Sequence, residues 1–205
     1  MAKKKCPACG SLNTVKIIYG LPTPETIEAV YRGECVIGGC CVSDIDPKRH
    51  CKSCGQEFGG GSLYPLFEMT SFEFYVGGYF GPSHHLYIDG KRKNKLIRYA
   101  KTQGGMYVDL KHPKNPINFH PEVLLKEIPL PSEKWLSFIK DLSTLEIPCW
   151  NDEYNNVAIL DGTQWELIIR LPNRITFRKN GSNSYPPYWN KFTKILKKYV
   201  GEDIG

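Results

Sequence analysis

From residue 71 onward, apolar and polar positions alternate with the two-residue period of a β-strand. In "SFEFYV" the apolar side chains Phe72, Phe74 and Val76 fall on one face. The glycines at 77–78 and the Gly81-Pro82 pair interrupt the run, and "HHLYID" resumes it. Asp89-Gly90 is a turn, and "NKLIRYAK" reads as the strand that follows. The period then changes. "SEKWLSFIKDL" carries Trp135, Phe138, Ile139 and Leu142 at helical spacing, with Ser132 in the position of an N-cap. Alternation returns in "TQWELIIRL", where Trp165, Leu167, Ile169 and Leu171 share a face. "RITFRK" completes a hairpin after the Pro172-Asn173 turn, and "YWNKFTKILKKYV" is a final amphipathic helix. The two helices share a W-x-x-F start at Trp135 and Trp189, with Leu142 and Leu196 each seven residues on. The pattern predicts an α+β domain of order β-β-α-β-β-α, its helices packed on one face of an antiparallel sheet.

The first 58 residues lack this regularity. "TPETIEAVYRGE" reads as a short helix starting near Thr23 or Thr26, with Ile27, Val30 and Tyr31 on one side. "CVIGGCCVS" follows, turning at Gly38-Gly39. Residues 59–62, Gly-Gly-Gly-Ser, read as a flexible joint. The expected organisation is a small unit over 1–58, a linker over 59–62 and the α+β domain over 63–205.

Cysteine explains how so short a segment folds. Cys6-Pro-Ala-Cys9-Gly10 and Cys51-Lys-Ser-Cys54-Gly55 are two C-x-x-C-G pairs. Two intervening residues let both thiolates reach one ion from a tight turn, and the following glycine can take positive φ. The reading is a structural zinc ribbon with Cys6, Cys9, Cys51 and Cys54 as ligands and one Zn2+ per chain, the metal standing in for a core. Lys5, Arg49 and Lys52 flank the thiolates and offset their charge. A redox C-x-x-C needs a strand before it and a helix after it, and neither pair has that setting. The gap of 41 residues between Cys9 and Cys51 exceeds the usual ~15–20. Within and beside it, Cys35, Cys40, Cys41 and His50 are candidates for a second metal site; as small apolar side chains the cysteines also suit burial. Cys149, beside Trp150, reads as a core thiol.

The motifs C-P-A-C-G (6–10), Y-G-L-P-T-P-E (19–25), R-G-E (32–34), G-G-C (38–40) and C-K-S-C-G (51–55) resemble a zinc-ribbon segment of uncharacterised bacterial proteins. The resemblance covers roughly the first 58 residues. It implies the same four ligands and little more. "DGTQWEL" with "GSNSYPPYW" resembles a second pattern from bacterial proteins of unknown function.

Composition narrows the class. The chain has 205 residues and is 41% hydrophobic and 23% charged, as a folded globular protein is. No apolar run reaches the ~18 residues of a membrane span. The start "MAKKK" is basic with no apolar stretch after it, so no secretory signal is read and a reducing cytoplasm is expected. The net charge of +6 permits nucleic-acid binding without demanding it. Its densest part is "GKRKNKLIRYAK", where Lys91, Arg92, Lys93, Lys95 and Arg98 suit phosphates and Tyr99 suits a base. A solvated hairpin tip accounts for the same residues. Lys191, Lys194, Lys197 and Lys198 fall on the outer face of the last helix. No P-loop, dinucleotide fingerprint, G-x-S-x-G or H-E-x-x-H occurs. The expectation is a non-catalytic binding or adaptor module for nucleic acid or protein. The alternative is a hydrolase in the C-terminal domain, metal-independent or built on His84, His120 and an acid such as Asp109.

Overall fold

A computed structural model describes residues 4–43, 46–60, 66–159 and 161–204. Part of the expected joint, Gly61 and Ser62, lies outside these. The chain divides into two compact units, Met1–Tyr64 with Glu146–Asn151, and Pro65–Leu145 with Asp152–Gly205. The six residues 146–151 thus group with the cysteine-rich unit, although the sequence pattern placed them in the larger domain.

The smaller unit is a four-stranded mixed sheet plus one helix. Its elements are β1 (Thr14–Ile18), α1 (Pro24–Tyr31), β2 (Cys35–Ile37), β3 (Arg49–Cys51) and β4 (Glu57–Phe58), in sheet order β2-β1-β3-β4. β1 runs parallel to β2 and antiparallel to β3. Thr23 caps α1, its hydroxyl accepting from the Thr26 amide at 3.3 Å, and Pro24 opens the first turn. No residue of α1 is buried, and Tyr31 is 87% exposed. The apolar face read from the sequence therefore exists but is not packed away.

The larger unit is an α+β arrangement around a seven-stranded sheet. Its elements are β5 (Ser71–Gly77), β6 (Pro82–Asp89), β7 (Leu96–Gln103), β8 (Leu124–Pro129), α2 (Ser132–Ser143), β9 (Glu153–Asn155), β10 (Gln164–Arg170), β11 (Thr176–Ser182) and α3 (Trp189–Val200). The sheet order is β8-β7-β6-β5-β10-β11-β9, antiparallel except for β9 beside β11. The expected β-β-α-β-β-α order is too short: four strands precede α2 and three precede α3. β8 escaped the pattern because it is an edge strand, "LLKEIP", with no fully buried position on either face. Pro131, not Ser132, sits at the N-cap of α2, and no side chain caps it. The helix starts one residue earlier than the hydroxyl suggested.

The alternating residues meet the helices as the periodicity requires. Register places Phe74, Leu86, Tyr99 and Leu167 across one face of the sheet, and Phe72, Ile88, Ile97 and Ile169 in the adjacent row. Phe72 meets Phe138 of α2 edge-on at 5.6 Å, and Phe74 meets Phe192 of α3 at 5.0 Å. Leu142 and Leu196, the shared seventh positions, are 0% and 1% exposed. Gly201 ends α3 at φ 77°, after Lys197 and Lys198 in the last turn, where cations complement the helix dipole. The opposite face of the sheet carries Glu73, Tyr75, His85, Tyr87 and Glu166. It is partly covered by the segment after β7, whose Val108 and Leu110 pack on Ala100.

Candidate metal centre

Each C-x-x-C-G stretch folds into the same small loop. The Gly10 amide donates to the Cys6 carbonyl at 3.0 Å, and the Gly55 amide donates to the Cys51 carbonyl at 2.8 Å. Both glycines stand at φ 77°, the left-handed turn that a Cβ would oppose. The Cys6 amide then donates to Ser11 O and the Cys51 amide to Gln56 O, each at 2.9 Å. Two identical hydrogen-bond circuits thus shape two identical knuckles.

The sheet brings the knuckles together. β1 pairs with β3 so that Thr14 lies opposite Cys51, which sets the end of one strand beside the second knuckle. The Lys52 amide donates to Asn13 O at 2.9 Å, and the Ser11 and Ser53 hydroxyls meet at 2.8 Å. One cysteine of each pair, Cys6 and Cys51, is wholly buried, and the other, Cys9 and Cys54, is exposed. Cys6, Ala8, Cys51 and Phe58 form the unit's small core, with Cys149 packed against it.

All four sulfurs lie within 4.8 Å of one another. The Cys6–Cys54 and Cys9–Cys51 pairs each stand at 3.7 Å. That is far beyond the ~2.0 Å of a disulfide. A tetrahedral zinc with Zn–S bonds of about 2.3 Å has a sulfur–sulfur edge of about 3.8 Å. The donor set and spacing therefore fit one metal ion of that kind. The thiols also feel one another. Burial pushes Cys6 and Cys54 up, Cys54 to about 12. At Cys51 burial acts the same way, but the amides of Ser53 and Cys54 and the Cys9 and Cys54 thiols outweigh it and bring it to about 7. Backbone amides aimed at sulfur favour a thiolate, as metal binding requires.

Residues 146–151 reinforce this unit. Glu146, at φ 51°, pairs with Lys4 and accepts from the Gly59 amide at 3.2 Å. The Cys149 thiol lies 3.9 Å from Glu57 O. Cys149 is therefore not the buried core thiol expected from the sequence: it is half-buried and packs against the edge of the small unit's core. No local pattern in "LEIPCWND" announces that placement.

The remaining candidates separate. Among the described residues, Cys35, Cys40, Cys41 and His50 form no ligand group. Cys35 is buried near Thr26 O at 4.0 Å, Cys40 and Cys41 are exposed, and His50 lies 3.9 Å from Glu57. Of the basic hairpin, Lys91, Arg92 and Lys93 are exposed at the tip. Lys95 lies over the Trp135 ring at 5.2 Å. Arg98 pairs with Glu127 at 3.1 Å and donates to Leu110 O at 3.0 Å. Tyr99 is 0% exposed, its hydroxyl 2.7 Å from His84 Nδ1, so it offers no face to a base. His84, Asp109 and His120 are not gathered either. His84 is buried with Tyr99, Asp109 binds His112 and Asn115 in its own loop, and His120 is exposed.

Neither a protein-family model, nor a curated protein, nor a solved structure matches the chain. No helix among the described residues is long and apolar enough to cross a membrane.

Proposed function

We propose that the small unit is a zinc ribbon, with one structural Zn2+ held by Cys6, Cys9, Cys51 and Cys54, and that the protein is a non-catalytic binding module acting in the cytoplasm. The observation that carries the metal reading is the pair of 3.7 Å sulfur separations, built by two matching knuckles. The partner favoured is a protein. Leu21, Tyr31 and Val42 of the small unit are 92%, 87% and 71% exposed, and α1 buries none of its apolar residues. Nucleic acid is the second reading, supported by the exposed Lys91, Arg92 and Lys93.

The test is binding of labelled single- and double-stranded DNA and RNA across a salt series. The protein-partner reading expects no micromolar binding at physiological salt. Micromolar binding that falls steeply with salt and vanishes in a Lys91/Arg92/Lys93→Ala variant would establish the nucleic-acid reading instead.

A further inference from the structure

The larger sheet ends on β8, and its hydrogen-bond pattern fixes which backbone groups β8 turns outward. In an antiparallel pair, opposed residues alternate between those that exchange hydrogen bonds and those that do not. The Leu130 amide donates to Lys95 O at 2.9 Å, in the same register that sets Ile128 opposite Ile97 and Lys126 opposite Tyr99. Leu124, Lys126 and Ile128 therefore bond to β7, and Leu125, Glu127 and Pro129 turn their backbone away from it. The neighbouring pair agrees: the Gly104 amide donates to Gly81 O at 2.8 Å, a register that commits Arg98 and Ala100 of β7 to β6. Pro129, which has no N–H, falls on an outward position, where it removes no ladder bond. The outward N–H groups of Leu125 and Glu127 and their carbonyls have no partner among the described residues.

Native edges are commonly protected by a bulge, by a covering segment or by a charged side chain aimed off the edge. The register of β8 is continuous, and none of its residues is buried. Its two charges are drawn to neighbours in their own chain. Lys126 pairs with Glu202, and Glu127 with Arg98 at 3.1 Å. Leu124 and Leu125 are 48% and 37% exposed. The edge thus presents apolar side chains beside a bare row of donors and acceptors.

Such a row recognises another extended backbone, because a strand matches its spacing along the whole edge. A second copy of this chain fits poorly. Two copies related by a two-fold axis pair residues of the same sheet face, and engaging Leu125 and Glu127 of both sets Lys126 opposite Lys126. A separate peptide has no such constraint. Antiparallel to β8, it can place an acid opposite Lys126, a base opposite Glu127 and β-branched residues opposite Leu124, Leu125 and Ile128.

We propose that β8 is a docking edge for an extended segment of a partner protein, which adds to the seven-stranded sheet antiparallel to β8 by backbone hydrogen bonds to Leu125 and Glu127. This inference rests on neither the metal nor the apolar surface of the small unit.

The experiment is an NMR titration of the full chain, purified with zinc, with the capped peptide acetyl-TVKEVVT-amide, which carries those residue types in antiparallel order. Two further versions bear a single N-methyl group. One has it on the fifth residue, whose N–H would face Leu125, and the other on the fourth, whose N–H would face away. The expected result is saturable shifts of the Leu125 and Glu127 amides with the plain peptide and the fourth-residue version. The fifth-residue version should bind roughly tenfold more weakly, the scale of one lost hydrogen bond. Leu125→Pro removes an outward N–H and no bond of the fold, and should weaken the plain peptide by a similar factor. Absence of saturable shifts, or equal affinity for both methylated peptides, would overturn the proposal. So would a peptide-free chain that sediments as a dimer and becomes a monomer on Leu125→Pro, which gives the edge to a second copy. The comparison of methylated peptides decides the matter even where the variant fails to fold.

Discussion

The sulfur of Cys9 stands 3.7 Å from that of Cys51, a residue 42 positions later in the chain. Closing so long a loop costs entropy that grows slowly with length. The small unit recovers little of it from apolar packing, because its helix α1 has no fully buried residue and its core is a cluster of four. A metal bond to all four thiolates is the interaction that can offset the cost. Structural zinc sites supply folding free energy on the order of 10 kcal/mol.

Substituting Cys6→Ser or Cys54→Ser is therefore expected to release the metal and unfold the small unit. The larger unit has its own sheet and helices and should keep its cooperative transition. Metal content by mass spectrometry and a two-transition thermal scan check this together.

Gly55 isolates the role of the knuckle backbone. A Cβ there would meet nothing within 4 Å, so Gly55→Ala adds only the strain of φ 77°. The expected cost is about 1 kcal/mol, with roughly fivefold weaker metal binding because binding and folding are coupled. Gly55→Asn should be milder, since asparagine tolerates the left-handed region. Competition with a chromophoric chelator measures both.

Phe138 joins α2 to the sheet by its contact with Phe72, and it is 1% exposed. Phe138→Ala should destabilise the larger unit by about 3–5 kcal/mol, the usual cost of emptying a buried aromatic site. Urea unfolding followed by tryptophan fluorescence reads the change. Metal content should be unaltered.

Asp141 ties α2 to α3. Its carboxylate accepts from Lys198 at 2.7 Å and from the Tyr199 hydroxyl at 2.9 Å. The Lys198 hydrogen bond, ahead of that from Tyr199, holds its pKa below the ordinary aspartate value. A depressed folded-state pKa gives stability above the unfolded value, near 3.9, that disappears as pH falls through the folded value. Asp141→Asn should then lower the melting temperature at pH 7 by about 2–4 °C. The difference from the unaltered protein should vanish in acid below the folded pKa. A difference that persists there would assign the effect to packing.

The four-cysteine cluster was legible in the sequence because its information is local: residue type, two-residue spacing and a glycine after each pair. The strands β5, β6, β7 and β10 and both large helices were legible through their periodicity. The same periodicity places Tyr99 two residues from Ile97, on the core face, so its burial could have been read there. The surrounding Lys91–Arg98 charges drew it towards nucleic acid instead. Two features carried no local signal. β8 has no fully buried position and so shows no alternation. Residues 146–151 complete the small unit from far along the chain.

Metal stoichiometry of the purified chain tests the central claim most directly. Native mass spectrometry should show one Zn2+ per chain, removed by a strong chelator with loss of structure in the small unit and regained on adding zinc. A chain that binds no zinc after reduction and reconstitution, or keeps its small unit folded when fully stripped of metal, would contradict it.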